Sequence, residues 1–314
     1  MSNLSARILV ALVAIPLILL VSKAGGFYFF GFIALISTVS LFEFYALSRA
    51  KGAVPQVVLG MVFGICVQAV FLYHRLQYAL LDALAGHGVH VPLPTQAQSM
   101  LILFLLFLPL MLLVELFRNK GSIFLNVGTT LSGVCFVSLF LGSCIGVREL
   151  FIPGDFPVYR YFDVQGLSVP EPVVETVDRW GGLTVIVLLV SIWVCDSAAF
   201  FAGRALGKHK LFVRVSPNKT WEGACAGFLG AMAVFVLAKY FMLPYLTLTQ
   251  AIVCALIVGV FGQLGDMVES LMKRDAGVKD SSSLIPGHGG VFDRFDSLIF
   301  VSPLMFLYLD FIVF

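Results

Sequence analysis

Nine stretches of this sequence are each long and apolar enough to cross a lipid bilayer, and no other feature limits the fold so sharply. They run over 7–22, 26–47, 54–74, 98–117, 122–147, 181–202, 223–243, 248–270 and 295–314. A crossing helix needs ~20 mostly apolar residues. Inside the hydrocarbon, every backbone N–H and C=O must find its partner within a helix or a closed barrel. Outer-membrane barrels show ~10-residue alternating segments, and none occur here, so helices are expected. Of the 314 residues, 60% are hydrophobic and 12% charged, against ~45–50% and ~25% in soluble domains. Such a chain could not cover itself with polar groups in water. An ordinary soluble enzyme, a disordered chain and a nucleic-acid-binding domain are thereby excluded. The net charge of +2 implies no bulk electrostatic partner. The expected fold is an all-α integral membrane protein with about nine transmembrane helices. The first run ends at Val21-Ser22-Lys23-Ala24-Gly25-Gly26, a poor signal-cleavage site, and is expected to stay as the first span.

Basic residues in short loops mark the cytoplasmic side. With the N-terminus placed in the cytoplasm, the outer loops hold Lys23, Arg75, Arg148, Arg160, Arg179 and Lys239, which leaves fourteen of the twenty Lys and Arg inside. An even number of spans would scramble that separation. The nine-span, N-terminus-inside reading divides the chain into three regions. Residues 1–147 form a scaffold or oligomer surface of about five spans, with spans nearly free of charge and one long loop at 75–97. Residues 148–180 form an exterior loop, Pro-rich and acidic, expected to be solvated with little secondary structure. Residues 181–314 form a region of about four spans with cytoplasmic loops 203–222 and 271–294. The cysteines lie inside apolar segments with no C-x-x-C pair, which suits buried free thiols better than a metal or disulfide framework.

Ionisable residues inside spans cost roughly 2.5–3.5 kcal/mol on insertion scales, so Asp196 and Asp266 stand out. Each could pair with a base from a neighbouring helix or belong to a functional site. Past Asp266 comes the densest polar stretch of the chain, Ser270-Leu-Met-Lys273-Arg274-Asp-Ala-Gly-Val-Lys279-Asp280, continuing through Pro286-Gly287-His288-Gly289-Gly290 to Asp293-Arg294-Phe295-Asp296. A connector between packed helices needs only ~2–8 residues. Asp266, Asp293 and Asp296 offer hard oxygen ligands suited to Mg²⁺ or Mn²⁺. Asp293 and Asp296 share a face at the start of the last helix, and Asp266, Glu269, Ser270 and Lys273 share one at the end of the eighth. Lys273, Arg274, Lys279 and Arg294 can neutralise phosphate oxygens. The glycines let backbone N–H groups approach an anion. These are parts for metal-assisted chemistry on a polyphosphate at the membrane surface; the competing reading is a solvated loop of mutually paired charges. In the preceding loop, Ser216-Pro217 is expected to cap and open a helix, with Lys219 and Thr220 beside it as an anion site. Gly203-x-x-x-Gly207 could be a helix-packing motif, which the flanking Arg204 and Lys208 disfavour.

The string from Ser270 to Asp296 resembles the diagnostic segment of the phosphatidate cytidylyltransferase (CDP-diacylglycerol synthase) family. Its pattern runs Ser, two residues, Lys-Arg, four residues, Lys-Asp, a short gap, an apolar residue, Pro, one residue, His-Gly-Gly, two residues, Asp-Arg, one residue, Asp, and every position is met. Gly265-Asp266 and Ser216-Pro217-x-Lys219-Thr220-x-Glu222-Gly223 are similar to the family too, so the likeness covers about the last 120 residues. What it implies is CTP + phosphatidate → CDP-diacylglycerol + pyrophosphate, a step in phospholipid biosynthesis. By the same resemblance, Asp266 and Asp293, then Asp296, would be metal ligands, with Mg²⁺ the expected ion, Mn²⁺ an alternative and a monovalent cation a further candidate. Lys273, Arg274, Lys279 and Arg294 would hold phosphates. His288 would donate to a phosphate oxygen or merely order the glycine turn. Ser216, Lys219 and Thr220 would bind substrate, with Arg204 and Asp196 as further substrate-binding candidates. The expected partners are CTP, phosphatidic acid, the bilayer and a second copy in a homodimer. The expected location is the bacterial cytoplasmic membrane, with the site facing the cytoplasm. Alternatives are a CTP-dependent polyprenol kinase, a cytidylyltransferase for another lipid phosphate and, more remotely, a cation-coupled transporter using Asp196 and Asp266.

Overall fold

Every apolar run of the sequence becomes a helix, because in hydrocarbon only the helical ladder satisfies its own backbone. The computed structural model describes residues 3–85, 92–152, 156–164, 168–285 and 289–314. In chain order the long helices are α1 (Asn3–Ala24), α2 (Gly26–Arg49), α3 (Val57–Val70), α4 (Tyr73–Ala85) and α5 (Gln96–Arg118). They continue as α6 (Ile123–Glu149), α7 (Glu171–Leu206), α8 (Trp221–Phe241), α9 (Leu248–Asp275) and α10 (Phe292–Val313). Seven of these, α2 and α5 to α10, are long and apolar enough to cross a membrane. The pair α3 and α4, bent by 84°, makes an eighth if counted as one span. The apolar part of α1, Val10–Ala24, is shorter. All-α membrane architecture is therefore present, with seven or eight spanning helices by length and composition among the described residues. α5 begins at a Thr95 capping box with Gln98 and α9 at a Thr247 capping box with Gln250, each satisfying N–H groups that a helix end leaves open.

Two buried clusters hold the bundle. The larger joins α2 (Phe29, Ile33, Leu41), α6 (Leu141, Ile145), α7 (Val185, Leu188), α9 (Val258) and α10 (Ile299, Val301). The smaller joins Phe63 and Val67 of α3 to Phe107 and Met111 of α5 and Val134 of α6. α5 otherwise turns Leu101, Leu105, Leu112 and Phe117 outward, a surface that only lipid tails or another apolar surface could cover.

The sequence reading needs correction in three places here. The long loop at 75–97 contains most of α4. The segment 148–180 is not simply solvated. α7 begins at Glu171, and Phe151, Phe156 and Val158 are buried. Phe151, Phe156, Trp180, Tyr245 and Phe314 stack into one aromatic cluster, with centroids 5.0–6.4 Å apart. Arg148 is fully buried; it donates to Ser22 O at 3.1 Å and pairs with Asp178 at 2.8 Å. The acids of this segment therefore serve partly as counter-ions, which composition could not reveal. Finally, Ser216-Pro217 opens no helix. Residues Ser216–Thr220 form a strand, β2, antiparallel to β1 (Lys210–Phe212), and Thr220 is the cap of α8, its Oγ1 accepting from Gly223 N. A capping Thr just before Trp221 competed with the Ser-Pro signal, and the hairpin pairing settled it.

Candidate active site

α9 and α10 cross closely because Gly265 has no side chain. A Cβ there would sit 2.9 Å from the Asp296 carbonyl oxygen. Just before it, Ile257–Gly262 winds as a π-helix, whose extra residue per turn redirects the face that follows. The crossing brings carboxylate oxygens of Asp266, Glu269 and Asp296 within 4.8 Å of one another. Three acids so close repel one another unless positive charge lies among them. Part of that charge is internal: Lys219 of β2 reaches Asp266 at 2.6 Å, and Lys273 lies 2.6 Å from Glu269 and 2.8 Å from Asp293. Asp296 accepts from its neighbour Ser297 N at 2.6 Å.

Asp293 is held differently from the other acids. Its oxygens accept from Lys273 Nζ at 2.8 Å, Ser281 N at 3.0 Å and Gly290 N at 2.8 Å. Glu269, whose carboxyl also reaches Asp293, thus joins the acidic group beside Asp266 and Asp296. Its signal was visible at i+3 from Asp266, on the same helical face.

Of these groups, Lys219, Asp266, Lys273, Asp293 and Asp296 line a cavity of about 1040 Å³ between α1, α7, the hairpin, α8, α9 and α10, and Glu269 is buried beside it. At its polar end are Asp196, Arg204, Lys219, Thr220, Asp266, Lys273, Asp293, Arg294 and Asp296. Its apolar wall comes from α1 (Val10, Ala14, Ile18) and α7 (Leu189, Ile192). Nine of the residues singled out in the sequence therefore meet in one cavity, drawn from four separate elements. Ser216, Arg274 and Lys279 do not line it. Arg274 instead donates to Val278 O at 3.0 Å, closing the end of α9, and Lys279 is exposed. His288 lies outside the described residues, as do Pro286 and Gly287. Gly203 does serve packing: α7 and α8 touch there, and a Cβ on Gly223 would lie 3.1 Å from Gly203 Cα. Small residues at that crossing bring Arg204 and Thr220 to the cavity side by side.

One contributor escaped the sequence reading. Glu43, in the middle of α2, is buried and bonded to the 281–292 segment. An acid inside an apolar run is itself a signal, and the first five spans were passed over as nearly free of charge.

The chain is similar to known proteins along nearly its whole length. A profile of the cytidylyltransferase family matches residues 5–312. A phosphatidate cytidylyltransferase of Synechocystis sp. is 33% identical over 304 residues, covering 96% of this chain and 95% of that protein. One from Bacillus subtilis is 43% identical over 139 residues, 43% of this chain and 51% of that protein. One from Staphylococcus epidermidis is 32% identical over 250 residues, 72% and 95% of the respective chains. The family match runs through both halves of the molecule, including the spans in which the motif has no part, and this chain belongs to the cytidylyltransferase family.

Proposed function

We propose that the chain transfers the cytidylyl group of CTP to phosphatidate, making CDP-diacylglycerol and pyrophosphate. The observation that carries this reading is one cavity with a polar end of acids and bases and an apolar wall. That shape suits a nucleotide meeting a lipid phosphate whose tails remain in the bilayer. In the reaction, a phosphatidate oxygen attacks the α-phosphorus of CTP. The new O–P bond forms as the bond to the β-phosphate breaks, and pyrophosphate leaves with the electron pair. The lipid phosphate is already largely ionised at neutral pH, so no strong base is required. The protein's task is to bring two polyanions together and to stabilise the departing charge. Lys219, Arg204 and Arg294 would clamp phosphate oxygens, while Thr220 orders the start of α8 beside them. Asp266 and Asp296 on the cavity wall, with the buried Glu269 close to both, have the hard-oxygen donor set that Mg²⁺ prefers and would hold it, while Asp293, which also lines the cavity, fixes Lys273. When bound, the ion would neutralise triphosphate charge. A cation path would spread acids through the membrane depth, whereas these gather at one cavity.

Purified protein with CTP, Mg²⁺ and phosphatidate should release pyrophosphate, stop in EDTA and recover with added Mg²⁺ or Mn²⁺. Release of CDP in place of pyrophosphate would turn the reading to a lipid kinase, and full turnover in chelator would remove the metal. In the same preparation, a particle mass of one copy would dismiss the homodimer, for which the outward face of α5 is the proposed seam.

The proposed topology has nine spans in a bacterial cytoplasmic membrane, N-terminus inside and the site on the cytoplasmic face. The charge asymmetry of the loops supports it. Single cysteines in loops 203–222 and 271–294, in a cysteine-free background, should label only from the cytoplasm. Labelling of both from outside would end both the topology and the use of cytoplasmic CTP.

A further inference from the structure

We infer that Glu43 is a positioning residue: the N-terminal half of the chain, through this one carboxylate, sets the segment that carries Asp293. The inference rests on the reaction proposed above. Glu43 is 3% exposed. Its Oε1 accepts from Ser282 Oγ at 2.5 Å and Val291 N at 3.1 Å, and its Oε2 from Ser281 Oγ at 3.0 Å and Phe292 N at 2.7 Å.

Two features make these bonds more than local packing. First, α10 begins without a capping side chain of its own. A helix start leaves its first N–H groups unpaired and carries partial positive charge. Glu43 supplies the missing cap from a helix more than two hundred residues away, accepting from Val291 N and Phe292 N just where Asp293 begins its turn. Second, Glu43 and Asp293 share one partner, Ser281, and lie on either side of Gly290. Ser281 gives its hydroxyl to Glu43 and its N–H to Asp293. Gly290 gives its N–H to Asp293, and its open side faces Glu43, so a Cβ there would collide with Glu43 Oε2 and Ser281 Oγ. The second glycine of Gly289-Gly290 is thus needed for the approach of a carboxylate from α2. Asp293 in turn holds Lys273. Loosening Glu43 therefore frees Ser281 and the backbone at Val291 and Phe292, unseats Asp293 and releases Lys273 toward the acids of the cavity.

The test uses the full chain in lipid nanodiscs. Glu43→Gln keeps the size but loses the charge and one acceptor. It should lower kcat by about 10- to 100-fold while leaving the KM for phosphatidate within about threefold. The thermal midpoint should stay near wild type, and tryptic cleavage at the exposed Arg274 and Lys279 should quicken several-fold. Glu43→Asp should recover part of the kcat. Gly290→Ala displaces the same carboxylate, so combining it with Glu43→Gln should be no worse than the poorer single variant, the non-additivity expected of residues acting as a unit. If Glu43→Gln does not fold, the double Ser281→Ala, Ser282→Ala variant should give the same pattern from the loop side. Wild-type kcat in folded Glu43→Gln, unchanged cleavage of the loop, or a kcat that falls only in step with the thermal midpoint would each overturn the inference. A wild-type protein that makes no CDP-lipid would instead defeat the proposed reaction, and the cleavage comparison would still decide the role of Glu43.

Discussion

Replacing Lys273 by Met should abolish turnover and cost the fold heavily. The Lys273 ammonium is the shared counter-ion of Glu269 and Asp293, whose side chains are 1% and 2% exposed. Breaking a buried pair by removing one partner typically costs about 3–5 kcal/mol, because a charge is left without compensation. Here one substitution strands two acids. Each 1.36 kcal/mol is tenfold in a rate or equilibrium constant, so loss of half of that from the transition state would take activity down by roughly 10- to 70-fold, and loss of all of it by roughly 10²-fold or more. Lys273→Arg should not restore it, since a planar fork cannot replace a compact ammonium between two acids at this spacing. Adding Glu269→Gln to Lys273→Met should raise the thermal midpoint above that of the single variant, because one stranded charge has gone. Detergent-solubilised yield, thermal midpoint and CDP-lipid formation measure all three effects. A stable Lys273→Met protein with wild-type turnover would show that the triad of Glu269, Lys273 and Asp293 carries neither fold nor function.

Asp293→Asn should reduce turnover by roughly 10²-fold or more while Asp275→Asn stays within a few-fold of wild type. The two acids lie in one polar stretch but in opposite environments. Asp293 accepts from Lys273, Ser281 N and Gly290 N. The amide of Asn turns a donor toward groups that are themselves donors, and each buried N–H left unsatisfied costs about 1–3 kcal/mol. Asp275 pairs with Lys51 at 2.9 Å in the open, with side chains 65% and 51% exposed, and exposed pairs contribute about 0–1 kcal/mol. Because Asp293 reaches Glu269 but lies outside the three carboxylates that approach one another within 4.8 Å, and is held by Lys273 and two loop N–H groups, raising Mg²⁺ should not rescue Asp293→Asn. Rescue by high Mg²⁺ would restore Asp293 to the metal ligands that the motif implied. Equal activity in well-folded Asp293→Asn and wild type would remove the residue from the site.

The hairpin illustrates how far local signals reach. Lys219 and Thr220 stood out in the sequence beside an expected helix start and within the family-like loop pattern, and both line the cavity. What surrounds them was not legible. Ser216 looked like a helix cap, yet it pairs with Phe212 of β1, and Thr220, at the far end of the same strand, caps α8 instead. Both Ser216 and Thr220 satisfy the chemical requirement for a cap, so only where the strand ends and the helix begins, at Trp221, chose between them. Gly203 had a similar fate. Its basic flank argued against packing, whereas the crossing with Gly223 uses its bare Cα and leaves Arg204 free to turn into the cavity.

By itself the sequence determined that this is a helical membrane protein and which segment carries the family's motif. Both properties are local. Apolarity over twenty residues decides where a helix can lie in hydrocarbon, and an ordered string of acids, bases and glycines needs no distant partner to be recognised. Tertiary structure alone decided who meets whom. Glu269 joins Asp266 and Asp296 because Gly265 lets α9 and α10 touch. Lys219 crosses from β2 to Asp266. Arg148 is buried against Asp178, so the acidic segment after α6 folds back onto the core. Glu43 ties the supposed scaffold to the segment bearing Asp293, across sequence separations of 238 to 249 residues. A buried ion or cap must be satisfied by whichever group the fold brings within hydrogen-bond reach. That choice depends on helix crossings and close glycine contacts in three dimensions, and no spacing along the chain encodes it.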